Sequence, residues 1–330
     1  VRDTFVGLEG GFGQLQVGYL NPPRRALAAT YGLVPGATGD AGALNWFGRV
    51  NIGAAFSPLN VATNTTSNTF GTAATGVGNL VSTIARSQGV SYKTPTFNGF
   101  QAHIHVTPNE SRDNAPVGTG LAKRDPNLWN LGLNYAQGPA SLRVSYAKLN
   151  DWTVQAASAA SLTALGLSGK EDTKQLLVGG SYIFGSTTTV AFIYDRTELS
   201  LGQSGLFAAL GDLDVRRNAW TLRARHTMGP HEIHGGYTRV GDNSVSGRTL
   251  SPNQTFGESG TNVYTLRYGY SFSKRTQLYA VYVDVRNKAN ANFEISAISP
   301  VLGSGTGGGA GVINAGADPR VIGVGLRHTF

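Results

Sequence analysis

The fold of this chain is decided by residues 129–148, which read WNLGLNYAQGPASLRVSYAK. Within 129–135 every second residue is large and apolar, and the residues between are Asn or Gly. After Gly138 the alternation resumes as far as Tyr146, with Arg143 on the polar side. A period of two residues predicts β-strands with one apolar and one polar face, here joined by a tight turn.

The same period recurs on both sides of Gly185 and again before Gly229. These strands extend over about ten residues or more, whereas the average globular strand has about five or six. Strands of that length match a tilted crossing of a lipid bilayer. We therefore predict an all-β fold, a transmembrane antiparallel β-barrel with its apolar residues facing lipid.

The composition agrees with a barrel and excludes several other classes. The charged fraction of 14% is low for a soluble domain, for which about 25% is typical. No run of about 18 apolar residues occurs, so a transmembrane helix is excluded. The absence of cysteine excludes disulfides and thiolate metal sites. The net charge of +8 points to nucleic acid, anionic lipid or anionic solutes, and the direction of the basic side chains decides among them.

Connections of alternating length support the barrel. Short turns are expected at Gly99, Gly138, Gly185, Gly229 and Ser271 to Lys274. Between them lie long polar loops, at 108–126, 150–171, 200–214, 241–260 and 286–318. Outer-membrane barrels have short periplasmic turns and long extracellular loops. The count is about thirteen strands, although a closed bacterial barrel has an even number, so the count is off or strands precede Val1.

Residues 20–81 form a further connection that is far too long for a hairpin loop of about 2–5 residues. It contains Arg24, Arg25 and Arg49 against a single acid, Asp40. We interpret the whole chain, 1–330, as a single barrel in which this segment folds into the lumen as a constriction loop. Loop arginines are also commonly solvated without a specific role, and that alternative stays open for each of the three.

Four segments resemble the general diffusion porins of Gram-negative, especially β-proteobacterial, outer membranes. Residues 2–18, RDTFVGLEGGFGQLQVG, look like the hairpin that precedes the inward-folded third loop of those proteins. Residues 91–100, SYKTPTFNGF, look like the turn that follows that loop. Residues 272–279, FSKRTQLY, and 323–330, GVGLRHTF, are similar to the penultimate turn and strand and to the closing strand. The segments occur in family order along nearly the whole chain.

The resemblance implies a homotrimer of barrels with about sixteen strands, of which about three N-terminal ones are missing from this sequence. It implies contacts with outer-membrane lipid and lipopolysaccharide, and with the barrel assembly machinery, for which Phe330 is the signal. Arg2 takes a family position beside the loop. In two places the chain departs from the family pattern: Tyr19 replaces a usual Arg, and Ala85 stands where the family has an Arg, with Arg86 one place off.

If the apolar faces meet lipid, strand alternation places five arginines on the lumen side. An Arg on the lipid side near the midplane costs about 2–4 kcal/mol, which favours this assignment. Some of the five could instead lie at the rim and pair with lipid phosphates. Asp195 and Glu232 also fall on inward faces and offset part of the positive field. The predicted lumen lining is Arg143, Arg223, Arg225, Arg267 and Arg327, and the predicted constriction is Arg2, Arg24, Arg25, Asp40 and Arg49.

Gln101, His103 and His105 share one strand face, and a polar lumen lining is favoured there over a metal site. No catalytic set, cofactor site, metal site or nucleic-acid site is predicted. The predicted function is passive diffusion of small hydrophilic solutes and ions, with a preference for anions. One alternative is a porin selective for an anionic metabolite such as a dicarboxylate or phosphate. Two others are an outer-membrane barrel enzyme and a soluble β-rich adhesin.

Overall fold

The structure is a computed structural model that describes residues 3–34, 47, 86–108, 126–152, 171–201, 212–247, 257–291, 293 and 316–329. Its elements are β1 (Thr4–Gly10), β2 (Gly13–Leu20), α1 (Pro23–Tyr31), β3 (Ser87–Lys93), β4 (Phe100–Pro108), β5 (Asn127–Gln137), β6 (Ala140–Trp152), β7 (Glu171–Phe184), β8 (Thr188–Leu201), β9 (Leu213–Met228), β10 (His231–Val240), β11 (Ser244–Ser246), β12 (Thr261–Ser271), β13 (Thr276–Asn287) and β14 (Arg320–His328).

The strands form one antiparallel sheet of 14 strands. β11 pairs with β9, and the other thirteen follow one another in chain order from β1 to β14. This order confirms the predicted all-β meander of about thirteen strands. Within the described part of the chain, β1 and β14 stand at the two ends of the sheet and do not pair with each other.

The hairpin turns lie where the sequence predicts them. Gly138 and Gly185 have φ values of 57° and 59°, in the left-handed region that glycine adopts without a steric penalty. The register across the first of these turns pairs Gln137 with Ala140. Strand alternation on both sides is therefore kept without a slip, so side chains of one parity share one face of the sheet.

The two faces of the sheet differ in chemistry. The outer face presents apolar side chains that are about half exposed or more, among them Leu131, Leu133, Phe192, Leu222, Leu266 and Val324. We call the opposite face, against which α1 packs, the inner face; its buried polar residues include Gln16, Ser91, Asn130, Ser145, Thr221 and Thr265. An apolar exterior around a polar interior is the pattern of a transmembrane β-barrel. No helix among the described residues is long and apolar enough to span a membrane.

Helix α1 is an element that strand periodicity does not predict. Pro23 at its start and the Ala-rich run up to Ala29 favour a helix, since Pro is tolerated in the first turn and Ala has the highest helix propensity. Leu27, Ala28 and Tyr31 form its buried side. The helix lies at the beginning of the 20–81 segment and packs on the inner face of β4–β8. The inward course of the rest of that segment stays a prediction, because 35–46 and 48–85 lie outside the described residues.

Candidate functional site: a basic inner face and an anchored helix

All five predicted lumen arginines lie on the inner face of the sheet. Arg143 pairs across strands with Gly179, directly beneath α1. Arg223 pairs with the buried Ala191. His234 lies between Arg225 and Arg267 in one cross-strand row. Arg327 pairs with Gln277, whose side chain contacts Arg267.

These arginines and Lys93 form a basic band on the half of the inner face nearer the short turns. Lys93 ends β3, Arg225 lies three residues from the end of β9, and Arg327 lies next to the end of β14. The carboxylates on the same half of the inner face, among the described residues, are Glu9 and Glu232. The band therefore carries more positive than negative charge.

Part of this positive charge is neutralised locally. Arg267 is fully buried, and its Nη1 donates to Glu232 Oε1 at 3.0 Å and its Nη2 to Gln277 Oε1 at 2.6 Å. Glu232 Oε1 also lies 2.8 Å from His234 Nε2. Among the described residues, Lys93, Arg143, Arg225 and Arg327 have no carboxylate within ion-pair distance. These four side chains carry positive charge that no described carboxylate pairs with.

Arg24 occupies a different environment from the one expected of a constriction residue. Its Nη2 donates to Asp195 Oδ1 at 2.7 Å, and both side chains are 0% exposed. Arg217 Nη2 lies 3.6 Å from Asp195 Oδ2, and Thr197 donates to the same oxygen at 3.0 Å. Burial lowers the pKa of the Arg24 guanidinium, and the charge and hydrogen bond of Asp195 act in the opposite direction. Arg24 thus anchors α1 to β8 through a buried ion pair.

The remaining predicted constriction residues are only partly covered by the structure. Arg25 is half-buried on α1; burial lowers the pKa of its guanidinium and nearby Arg86 lowers it further, against the opposite effect of Asp3. Arg86 itself pairs with Asp3. The predictions for Arg2, Asp40, Arg49 and the terminal Phe330 fall outside the described residues.

An apolar cluster covers the inner face on the side of α1 away from β1. Leu27, Ala28 and Tyr31 of α1 join Phe47 and Phe293, all of them 1% exposed or less. The wall beneath them contributes further apolar side chains, Leu177, Ala191, Ile193, Ala219, Val240, Val263, Val281, Val283 and Val285, beside the buried Asp195 and Arg217. The ring of Phe293 lies 5.9 Å from the Arg217 guanidinium carbon. Segments from two connections therefore meet on the inner face as a small dry core.

A polar pocket lies on the other side of α1. Its volume is about 410 Å³, and it is bounded by α1 and the inner face of β1–β6. The lining residues are Asp3, Phe5, Gln14, Gln16, Leu20, Asn21, Ala26, Lys93, Gln101, His103, Asn134 and Arg143. Amides and two cations dominate this lining.

The two strand histidines belong to this wall. His103 Nε2 lies 2.6 Å from Ser91 Oγ, and His105 Nε2 lies 2.8 Å from Ser87 Oγ. Across the described part of the chain, no group of three or more His, Cys, Asp or Glu residues is placed to hold a metal. The side chains hydrogen-bond across neighbouring strands, which agrees with a polar lining.

Sequence reasoning missed three of these features: Lys93 as a member of the basic band, Arg217 in the buried cluster, and the pairing of Arg24 with Asp195. The parity of Lys93 could have been read from the strand Ser87–Lys93. The ion pair joins residues 171 positions apart, which local sequence patterns do not reveal.

The fold and the inner face together have the pattern of an outer-membrane β-barrel protein, with an apolar exterior and an internal helix that covers part of a basic wall. The chain belongs to the Gram-negative porin family, whose model matches residues 1–290. It is thus a protein of the bacterial outer membrane. It is 30% identical over 275 residues to an outer membrane porin protein of Bordetella pertussis, a match that covers 79% of this chain and 62% of that relative.

Solved structures show the same fold at low sequence identity. The anion-selective porin from Comamonas acidovorans matches with a TM-score of 0.63 and 22% identity, over 100% of this chain and 78% of that one. The trimer form of OmpT, an outer membrane protein of Vibrio cholerae, matches with a TM-score of 0.58 and 12% identity, over 99% of this chain and 80% of that one. The chain thus spans less than two thirds of the curated relative and about four fifths of these structures.

Proposed function

We propose that the complete protein is a homotrimeric outer-membrane porin through which small hydrophilic solutes diffuse passively, with anions favoured over cations. The observation that carries this proposal is the basic band. Lys93, Arg143, Arg225 and Arg327 share the inner face, and the described residues contain no carboxylate paired with any of them. Charges are poorly screened in a channel narrower than the Debye length of about 8 Å, so the band attracts anions and repels cations.

We also propose the mode of action, the strand number and the contacts that membership of the porin family implies. The protein acts without covalent chemistry and without a cofactor. The chain forms one barrel of about sixteen strands when complete, with the 20–81 segment as its constriction loop. Phe330 presents the closing strand to the barrel assembly machinery, and the outer face meets lipid and lipopolysaccharide. The Comamonas acidovorans neighbour is itself described as anion-selective, which is consistent with the preference proposed here.

Two alternative functions would each require a specific arrangement of residues. A porin selective for one anionic metabolite would bind that solute at a defined place, and the pocket beside Lys93 and Arg143 is where this would occur. A barrel enzyme would need a nucleophile, a base and an orienting group together on the outer part of the barrel. Nothing in the described geometry favours the enzyme, so the diffusion porin is preferred.

The proposed anion preference is tested by measuring the reversal potential of the full-length protein in a planar bilayer, under a KCl gradient of about tenfold. We expect the sign that indicates chloride preference. Neutralising two members of the band with Arg225→Gln and Arg327→Gln should weaken the preference, because both lie on the inner face.

The matched control neutralises two outer-face lysines, Lys148→Gln and Lys174→Gln, which pair with each other across β6 and β7. This control should leave the reversal potential unchanged. A cation preference in the unsubstituted protein would contradict the proposed selectivity, and an equal effect of both double variants would remove the band as its source.

A further inference from the structure

We propose that the pocket between α1 and β1–β6 is a binding subsite for a small oxyanion, a carboxylate or phosphate group, held by Lys93 and Arg143. This inference rests on the proposed function, since it requires solutes to pass along the inner face. The basic band alone would attract anions along the whole inner face. The inference goes further because it assigns anion binding to one pocket and to two residues. Neither Lys93 nor the pocket was among the sites expected from sequence.

Strand register builds the polar floor of this subsite. Gln14, Lys93 and His103 are directly opposite one another on β2, β3 and β4. Gln101, Asn134 and Arg143 are directly opposite one another on β4, β5 and β6. Opposite side chains in an antiparallel sheet have Cβ atoms about 4.5–5.5 Å apart, and Gln101 and His103 lie on the same face of one strand. The two rows therefore form one continuous surface with a cation near each end.

Both cations are held by neutral partners. Lys93 Nζ donates to Gln14 Oε1 at 3.3 Å. Arg143 Nη1 donates to Thr30 Oγ1 at 2.9 Å, and its guanidinium carbon lies 5.9 Å from the centre of the Tyr31 ring. These contacts orient the two side chains but leave their charges uncompensated. An oxyanion in the pocket would supply the missing negative charge.

Two acidic residues oppose this assignment. Asp3 lines the same pocket, but it forms an ion pair with Arg86. Glu9 accepts a hydrogen bond from Gln14, the partner of Lys93. The local sum over Asp3, Glu9, Arg86, Lys93 and Arg143 is still positive. The pocket volume of about 410 Å³ falls within the range of about 300–1,000 Å³ typical of small-ligand sites. It accommodates a small oxyanion together with water.

The buried arginines of the inner face are unsuited to the same role. Arg24 and Arg217 lie beside Asp195, and Arg267 is bound to Glu232 and Gln277. All three are 1% exposed or less. A passing anion would have to displace a carboxylate to reach them. The subsite is therefore assigned to the wall where cations face a cavity.

The experiment uses inorganic phosphate as the probe against a chloride current through the full-length protein in a planar bilayer. A subsite predicts that phosphate reduces the current saturably, with a defined half-maximal concentration. Lys93→Gln and Arg143→Gln should each raise that concentration about tenfold or more, since each removes one charge-assisted hydrogen bond. Lys93→Arg keeps the charge and should stay within about threefold of the unsubstituted protein.

Arg225→Gln is the matched control, because Arg225 lies on the same face but outside the pocket. A block that does not saturate, or one that Lys93→Gln changes no more than Arg225→Gln does, would overturn the subsite. The reversal potential of the same channels separates the two proposals. Chloride preference without a saturable block leaves the proposed function intact and removes the subsite. A saturable block that depends on Lys93, in a channel that prefers cations, supports the subsite and removes the anion preference.

Discussion

The part of the inner wall of β7–β13 that packs against α1, Phe47 and Phe293 is covered by apolar side chains, whereas the inner wall of β1–β6 faces a polar pocket. We call the first the apolar wall, since Leu177, Ile193 and Val283 pack there beneath α1, Phe47 and Phe293. We call the second the polar wall, since Gln14, Lys93 and Arg143 face a pocket there. The outer faces of both walls present apolar side chains, because both are expected to contact lipid.

In the proposed channel, this difference would combine a support for α1 with a path for solutes. On the apolar wall, apolar burial and the pairing of Asp195 with Arg24 hold α1 in place. On the polar wall, cations have neutral partners and face a cavity. We therefore expect solutes to move along the polar wall and the basic band, and substitutions in the apolar cluster to act through the position of α1.

The largest effect is expected from Asp195→Ala. This change leaves Arg24 buried without the carboxylate that it pairs with and removes a carboxylate beside Arg217, and breaking a buried ion pair typically costs about 3–5 kcal/mol. A urea titration of the folded protein in detergent, followed by tryptophan fluorescence, measures the loss. The control is Glu198→Ala, which breaks the exposed pair with Arg196 and should cost about 0–1 kcal/mol.

A triple variant sharpens the same test. Arg24→Met, Asp195→Leu and Arg217→Met together remove the three charges of this buried cluster while keeping much of the volume. Replacing a buried ion cluster by apolar groups is often neutral or stabilising, so most of the stability lost in Asp195→Ala should return. If Asp195→Ala costs no more than Glu198→Ala, the buried pair does not anchor the helix.

A smaller effect is expected where α1 rests directly on the wall. A Cβ added at Gly179 would lie 2.6 Å from Tyr31 Cδ2 and 2.9 Å from Leu27 Cδ2, and both side chains are buried. Gly179→Ala should cost about 1–3 kcal/mol through overpacking. It should also push α1 away from the apolar wall and towards the polar wall. Single-channel conductance in a planar bilayer should therefore fall.

The neighbouring glycine supplies the control for this prediction. A Cβ at Gly180 points to the outer face, and its nearest atom would be Ser141 O at 3.2 Å. Gly180→Ala should leave the conductance unchanged. Equal conductance in Gly179→Ala and Gly180→Ala would mean that the position of α1 does not limit the open path.

The contrast between the walls also explains what sequence reasoning could reach. Strand period, turn positions and the inward direction of the arginines depend on local alternation, and Arg143, Arg225 and Arg267 lie on the predicted face. The apolar wall is also visible in the local sequence pattern. In β13, Val281 and Val283 are apolar on the inner face while Tyr282 is apolar on the outer face. Strands covered on both faces have such continuous apolar runs, and this signal was available.

The position of α1 could not be predicted from local sequence patterns. The pairing of Arg24 with Asp195 depends on how a helix from one connection meets a strand far along the chain. The same holds for Phe293, which joins the core from the connection after β13. The pattern of a single sequence indicates which face of the sheet a strand residue lies on, but not which distant residue it contacts. Arg24 was therefore expected as a constriction charge, whereas in the structure its charge is paired and buried.

The smallest effect is expected at the loop ends of the apolar wall, where Asp242 joins two connections. Its carboxylate accepts hydrogen bonds from Lys288 Nζ at 2.6 Å and from the Gly260 N–H at 2.9 Å. Burial acts to raise the pKa of Asp242, but the hydrogen bonds from Lys288, Gly260 and Ser259 and the charge of Lys288 lower it overall. A lowered pKa in the folded state stabilises the fold above the ordinary Asp pKa of about 3.9, and this contribution is lost as the pH falls through the lowered value.

Asp242→Asn should therefore destabilise the protein by less than about 1 kcal/mol at pH 7, because the pair is partly exposed. The difference between the unsubstituted protein and the variant should shrink as the pH falls below about 3.9. Urea titrations in detergent at neutral and acid pH measure both values, and Lys288→Met should have a similar effect at neutral pH. A difference that stays constant with pH would show that the carboxylate charge of Asp242 does not hold these two connections together. The connections would then be held by neutral contacts, such as the hydrogen bond from the Lys288 N–H to Gly260 O at 3.0 Å.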